Sequence, residues 1–225
     1  MKTKKFSIRV LAEIAIFAAI AYVLDLFQGI WFKGVWPNGG SIGIAMVPIF
    51  VIAYRRGLLP GLLCGLIVGT VQMSGGVYAV TGKNFTNEFM QVMAPFIQVS
   101  LDYVLAYFLV GFAGAFAKAY AKGKDFKTKL IWIIVGTVFG GLLKFLAHFA
   151  AGYFWLNTSK PFAGIDSGSM LFSFVYNGTY CIPNIILCTT IMIIIAKIAP
   201  FLLDVDYKKE TESIEEDNDN EVQQA

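Results

Sequence analysis

Long apolar runs separated by short polar breaks dominate the chain. They extend from about Ile8 to Ile30, Ile42 to Tyr54, Leu58 to Met73, Met93 to Ala117, Leu130 to Trp155 and Met170 to Leu203. A helix needs about 20 apolar residues to cross a hydrocarbon core of about 30 Å. The pattern therefore predicts an all-α integral membrane protein with six transmembrane helices. The second and third runs are short and only "RRGLLPG" lies between them, so a tilted or re-entrant hairpin also fits there. Residues 1–205 read as one membrane domain. The remainder, 206–225, is acidic and lacks the apolar residues that would offset the entropy of ordering, so a disordered tail is expected. Met1 to Arg9 could open a signal peptide, but the apolar run is longer than a signal core and lacks a small-residue cleavage site before Asp25, so it is expected to be retained.

Positive charge orients this set of helices. Lys2, Lys4, Lys5 and Arg9 precede the first run, and Arg55 and Arg56 follow the second. Lys118, Lys122, Lys124, Lys127 and Lys129 follow the fourth, and Lys197, Lys208 and Lys209 end the sixth. With both termini cytoplasmic, fourteen of the 18 basic residues fall on one side, as the positive-inside rule requires. Composition agrees with a membrane protein: of 225 residues, 57% are hydrophobic and 15% charged, where a soluble domain carries roughly 25% charged.

Composition also narrows the chemistry. Cys64, Cys181 and Cys188 lie in apolar runs without CxxC spacing and read as small core hydrophobes. No GxxxxGK[ST], HExxH, GxSxG or SxxK is present, so the chain has no P-loop with which to hydrolyse nucleotide, and no cofactor or nucleic-acid partner is indicated. Ionisable residues inside the apolar runs are then the informative ones, because each is costly in lipid unless paired or facing water. Glu13 reads as an interfacial acid paired with Arg9 one turn away. Asp25 lies near the far interface. Asp102, Lys144 and His148 sit at compatible depths in the fourth and fifth runs. Lys144, His148, Gly152 and Trp155 share one helical face, within an arc of roughly 80°.

Two readings fit these groups. Asp102 and Lys144 tie two helices together as an ion pair, or carboxylate, imidazole, ammonium and nearby aromatics line an outward pocket for a polar or cationic small molecule. Trp31, Trp36, Tyr78, Tyr153 and Trp155 crowd the outer side, partly as an interfacial belt. Aromatic faces beside a carboxylate also suit a desolvated organic cation. Asn177 in the sixth run offers both a donor and an acceptor. Ala15 and Ala19 form an AxxxA pair that serves either internal packing or the approach of another helix.

The segments "PNGGSIGIAMVPIFVIAYRRGLLPGLLCGLIVG", "IQVSLDYVLAYFLVGFAG", "KFLAHFAAGYFW" and "SFVYNGTY" resemble, in this order, signatures of the thiamine-specific substrate-binding (S) subunits of energy-coupling factor (ECF) transporters, over roughly residues 8 to 200. The resemblance implies a six-helix protein that captures thiamine, then joins a membrane coupling subunit and two cytoplasmic ATPases. It implies that Ala15 and Ala19 face the coupling subunit. Carried onto matching positions, it makes Asp102 and Tyr103 readers of the aminopyrimidine, with Lys144, His148 and Gly152 matching a KxxxHxxxG spacing. Trp155 becomes a stacking partner, and Asn177 and Ser169 belong to the last site segment. Trp36 and Tyr78 lie in the first and second outer loops. Phe172 stands where the family pattern has a tyrosine. Rival readings are an S subunit for another vitamin or thiamine precursor, an intramembrane enzyme using His148 and Asp102, and an ion-coupled carrier switching Asp102 against Lys144.

Overall fold

The computed structural model describes residues 7–204, apart from 33, 38, 156–161, 163 and 166–167. The predicted tail beyond 205 lies outside the described residues. Within them, helices α1 (Ile8–Trp31), α2 (Met46–Arg56), α3 (Leu58–Gln72), α4 (Glu88–Ala121, with irregular turns), α5 (Phe126–Ala151) and α6 (Met170–Ile198) follow one another.

Helix starts are set by local chemistry. Ser7, Asn87, Asp125 and Ser169 each accept a hydrogen bond from a backbone N–H of the first turn they cap. The Asn87 cap starts α4 five residues ahead of the predicted Met93, in a stretch whose Glu88 and Gln91 masked the helix by hydropathy alone.

Among the described residues, α1, α3, α4, α5 and α6 are long and apolar enough to cross a membrane. The expected sixth span is different. α2 has 11 residues, about 16 Å at 1.5 Å per residue, and residues Met46 through Tyr54 are all buried. Residues 42–45, predicted as its first turn, run as connecting chain instead. The outward surface of the other helices is apolar, with Leu11, Ile16, Ile20, Val23 and Phe27 of α1 exposed, as lipid contact demands.

α3 and α4 touch through backbone. Gly57, Gly61, Gly65 and Gly69 recur every four residues; a Cβ at Gly65 would lie 2.2 Å from the Tyr107 carbonyl oxygen, and one at Gly69 would lie 2.7 Å from that of Tyr103. Small residues at such spacing permit close approach of membrane helices. This seam fixes where the cavity wall on α4 stands.

At one end of the bundle, Glu13 accepts from Arg56 Nε at 2.6 Å and Nη2 at 2.8 Å, and from Arg55 Nε at 3.0 Å. The expected Arg9 partner is present at 3.6 Å, the longest of the three contacts. Arg55 Nη1 also donates to the Phe201 carbonyl at 2.9 Å, and Lys129 pairs with Asp204 at 3.2 Å. The start of α1, the α2–α3 turn and the end of α6 are thereby tied together. The opposite end carries the connecting loops and the cavity.

Candidate functional site

α4 loses regularity where it meets the cavity. It turns π-helical over Ser100–Leu105, a distortion that widens the helix and re-aims side chains. Asp102 and Tyr103 lie in that turn. α5 contributes Lys144 and His148 one turn apart, and Trp155 just past its end. α6 supplies Tyr176, Tyr180 and Asn184, and α1 and α3 add Asp25, Gln28 and Gln72. Together with Gly39–Ser41, Tyr78, Gln98 and Tyr107, these side chains enclose a cavity of about 160 Å³.

Its polar core is a chain of hydrogen bonds. Asp102 Oδ1 lies 3.0 Å from His148 Nδ1, and Asp102 Oδ2 accepts from Gln98 Nε2 at 2.7 Å. Gln98 also donates to the Tyr78 carbonyl at 3.2 Å and accepts from the Val80 N–H at 3.1 Å. The Tyr78 N–H donates to the Tyr103 hydroxyl at 2.8 Å. Two loop residues are thus bound to the helix that carries the carboxylate. With Asp102 on Nδ1, a neutral His148 ring holds its proton there and keeps Nε2 as an acceptor.

Aromatic rings form the rest of the wall. Trp155 meets Tyr176 edge to face, with centroids 5.7 Å apart, and Tyr180 meets His148 similarly at 5.9 Å. The chain ahead of α2 closes the remaining side, pinned by α6. Asn184 donates to the Ser41 carbonyl at 2.8 Å and accepts from the Gly43 N–H at 2.6 Å, and the Tyr176 hydroxyl donates to the Gly39 carbonyl at 2.7 Å.

Of the residues singled out from sequence, Tyr78, Asp102, Tyr103, Lys144, His148 and Trp155 line the cavity. Four others stand behind its wall. Asn177 is fully buried: it donates to the Ser173 carbonyl at 2.9 Å and accepts from the Tyr180 hydroxyl, so it orients Tyr180. Trp36 donates its indole N–H to Thr179 at 2.8 Å and packs against Tyr180. Gly152 is a packing position, since a Cβ there would lie 1.8 Å from Ser173 Oγ. Ser169 caps α6 through the Phe172 N–H. The structure does not join Asp102 to Lys144. Asp102 is taken by His148 and Gln98, while the Lys144 ammonium sits 3.8 Å from the centroid of the Tyr107 ring.

Asp25, Gln28, Gln72, Gln98, Tyr107, Tyr176, Tyr180 and Asn184 line the cavity without having been singled out as site residues. For Gln98, Tyr107, Tyr176 and Tyr180 the signal was the four-residue spacing of Gln98 with Asp102, Tyr103 with Tyr107, and Tyr176 with Tyr180, each matching that of Lys144 with His148. Among the described residues, no three His, Cys, Asp or Glu side chains converge on a metal position.

The sequence matches the family described as Thiamine transporter protein (Thia_YuaJ) over residues 11–203. It is 35% identical to the thiamine transporter ThiT of Bacillus subtilis over 199 residues, covering 87% of this chain and 94% of that protein. It is 26% identical to ThiT of Lacticaseibacillus paracasei over 197 residues, covering 86% and 89%. The solved structure of ThiT from Listeria monocytogenes superposes with a TM-score of 0.68 at 28% identity, over 86% of this chain and 96% of that one. These are transport proteins rather than enzymes, which displaces the intramembrane-enzyme reading of Asp102 and His148. The chain is a multi-pass plasma-membrane protein and belongs to the thiamine transporter family.

Proposed function

We propose that the cavity captures thiamine, and that the chain is the substrate-binding subunit of an ATP-driven ECF importer. The observation that carries the reading is the Asp102–His148 pair set among the Trp155, Tyr176 and Tyr180 rings. Thiamine combines a fixed thiazolium charge, an aminopyrimidine with donors and acceptors, and a hydroxyethyl tail. Asp102 balances the charge or accepts from the exocyclic amine. The ring faces add about 2 kcal/mol or more for a desolvated cation–π contact. Tyr103 and Lys144 complete the polar lining, while Trp36, Asn177 and Ser169 position the residues that touch ligand.

Capture alone moves nothing uphill, and the sequence has no nucleotide-binding motif. Work must come from partners, here a membrane coupling subunit and two cytoplasmic ATPases. Ala15 and Ala19 lie exposed on α1 rather than within the bundle, which supports their use as the docking face for the coupling subunit. Basic residues at the Glu13 end support the reading in which that end and both termini face the cytoplasm and the cavity faces outside.

Titration of the purified protein with thiamine, pyridoxine and riboflavin, followed by Trp fluorescence and by native mass spectrometry, tests the ligand. Quenching and a mass increment with thiamine alone are expected; binding of another vitamin instead, or of none, overturns the assignment. Uptake by vesicles containing the chain without any ATPase, driven by a pH gradient, would overturn the ATP-coupled reading.

A further inference from the structure

The cavity carries Asp25, Asp102, Lys144 and His148, and Asp102 and His148 engage each other directly. That leaves Lys144, 8% exposed and set in the membrane, where an uncompensated ammonium is costly. Its ammonium lies against the face of Tyr107, and the hydroxyl of that ring donates to Asp25 Oδ1 at 2.5 Å. Tyr107 thus has a cation on its face and a carboxylate on its hydroxyl. Lys144 and Asp25 act on each other electrostatically across it. Gln28 Nε2 donates to Asp25 Oδ1 at 2.8 Å, and Gln72 lines the cavity with them. Two donors therefore converge on one carboxyl oxygen, a set suited to the acceptor-only ionised form.

We infer that Asp25 is the counter-ion of Lys144 and a specificity-determining residue of the cavity. With that pair balanced, Asp102, held by His148 and Gln98, is the carboxylate left to face a ligand, and the chamber selects an organic monocation. Asp25 acts on the ligand through the charge of Lys144 and the placement of Tyr107. This inference rests on the thiamine-capture reading and adds a residue and a charge rule to it.

The test is a charge cycle on the full chain, titrated with thiamine and with an isostere whose thiazolium is replaced by an uncharged thiophene ring. Asp25→Asn leaves Lys144 uncompensated beside a cationic ligand, and thiamine affinity falls about tenfold or more. The isostere loses about threefold or less, because it carries no charge for the ammonium to repel. Asp25→Glu, which keeps the charge, loses less thiamine affinity than Asp25→Asn. In the double variant Asp25→Asn/Lys144→Met, which also removes a residue of the lining, thiamine and the isostere lose affinity by similar factors, so the selective loss of thiamine seen with Asp25→Asn disappears. Equal losses for the two ligands in Asp25→Asn, or a selective loss that persists in the double variant, overturn the inference. Should Asp25→Asn fail to fold, recovery of folding by the double variant supports the counter-ion role and continued failure refutes it. Absence of thiamine binding by the unaltered chain removes the functional reading and this inference with it, whereas unaltered binding by Asp25→Asn removes this inference alone.

Discussion

Glu13 and Asp25 stand on the same helix, about 18 Å apart along its axis at 1.5 Å per residue, and their surroundings differ in kind. Glu13 meets three arginines, two of them through direct short hydrogen bonds. Positive charge is in excess there, and the contacts join three parts of the bundle. Asp25 meets neutral donors from Tyr107 and Gln28, and Lys144 reaches it only across a ring. Direct, overcompensated pairing serves to hold helices in place. Indirect compensation across a ring, facing a cavity, balances the Lys144 charge without tying helices together and leaves Asp102 to the ligand.

The largest effect is expected where the two ends are joined. Gly65→Leu would drive a side chain into the α4 backbone, and because the opposing atoms are main chain the cost exceeds the roughly 1–3 kcal/mol of ordinary overpacking. Little folded protein should be recovered in detergent, and normal yield with normal melting would contradict the seam. Glu13→Gln comes next. It removes the carboxylate that accepts from Arg56, whose side chain is 3% exposed, and should remove about 2 kcal/mol of stability, as for loss of hydrogen bonds to a charged group, while the folded fraction keeps its affinity for thiamine. If affinity fell in step with melting temperature, the contrast between the ends would be lost. Asp102→Asn should do the reverse, weakening thiamine binding about 10- to 100-fold, as expected for loss of a charge-assisted hydrogen bond, with little change in melting temperature. His148→Ala should follow the same direction in calorimetric titration.

The smallest effect is at Asp125, outside the spans. Its hydrogen bonds to the backbone N–H and hydroxyl of Thr128 hold its carboxyl below the usual value of 3.8. A depressed folded-state value means the cap stabilises above the unfolded value and is lost as pH falls through the folded one. Asp125→Ala should therefore melt slightly earlier at pH 7, with the gap closing below about pH 4. A gap that does not depend on pH would mean that the carboxylate charge plays no part in the cap.

The contrast between the ends also explains what could be read from sequence. Apolar runs located the five long helices because lipid exposure demands continuous hydrophobicity, and located α2 because it is enclosed by the bundle. α2 came out shorter than its run since residues 42–45 are equally apolar outside the helix, where Asn184 rather than a helical turn satisfies Ser41 and Gly43. Asp102, Lys144 and His148 stood out because ionisable groups are rare in such runs. Tyr176 and Tyr180 did not, since a tyrosine among many aromatics signals little. Asp25 was visible, but its depth near an interface gave it an ordinary explanation. Only the fold brings Tyr107 and Gln72 to it.

The glycine seam has a consequence for how this chamber can change over time. Where α3 and α4 meet through main chain, the distance between them is indifferent to which side chains occupy positions 98, 102, 103 and 107. The lining can drift toward other small molecules while its dimensions stay put, much as a lock keeps its barrel when the pins are recut.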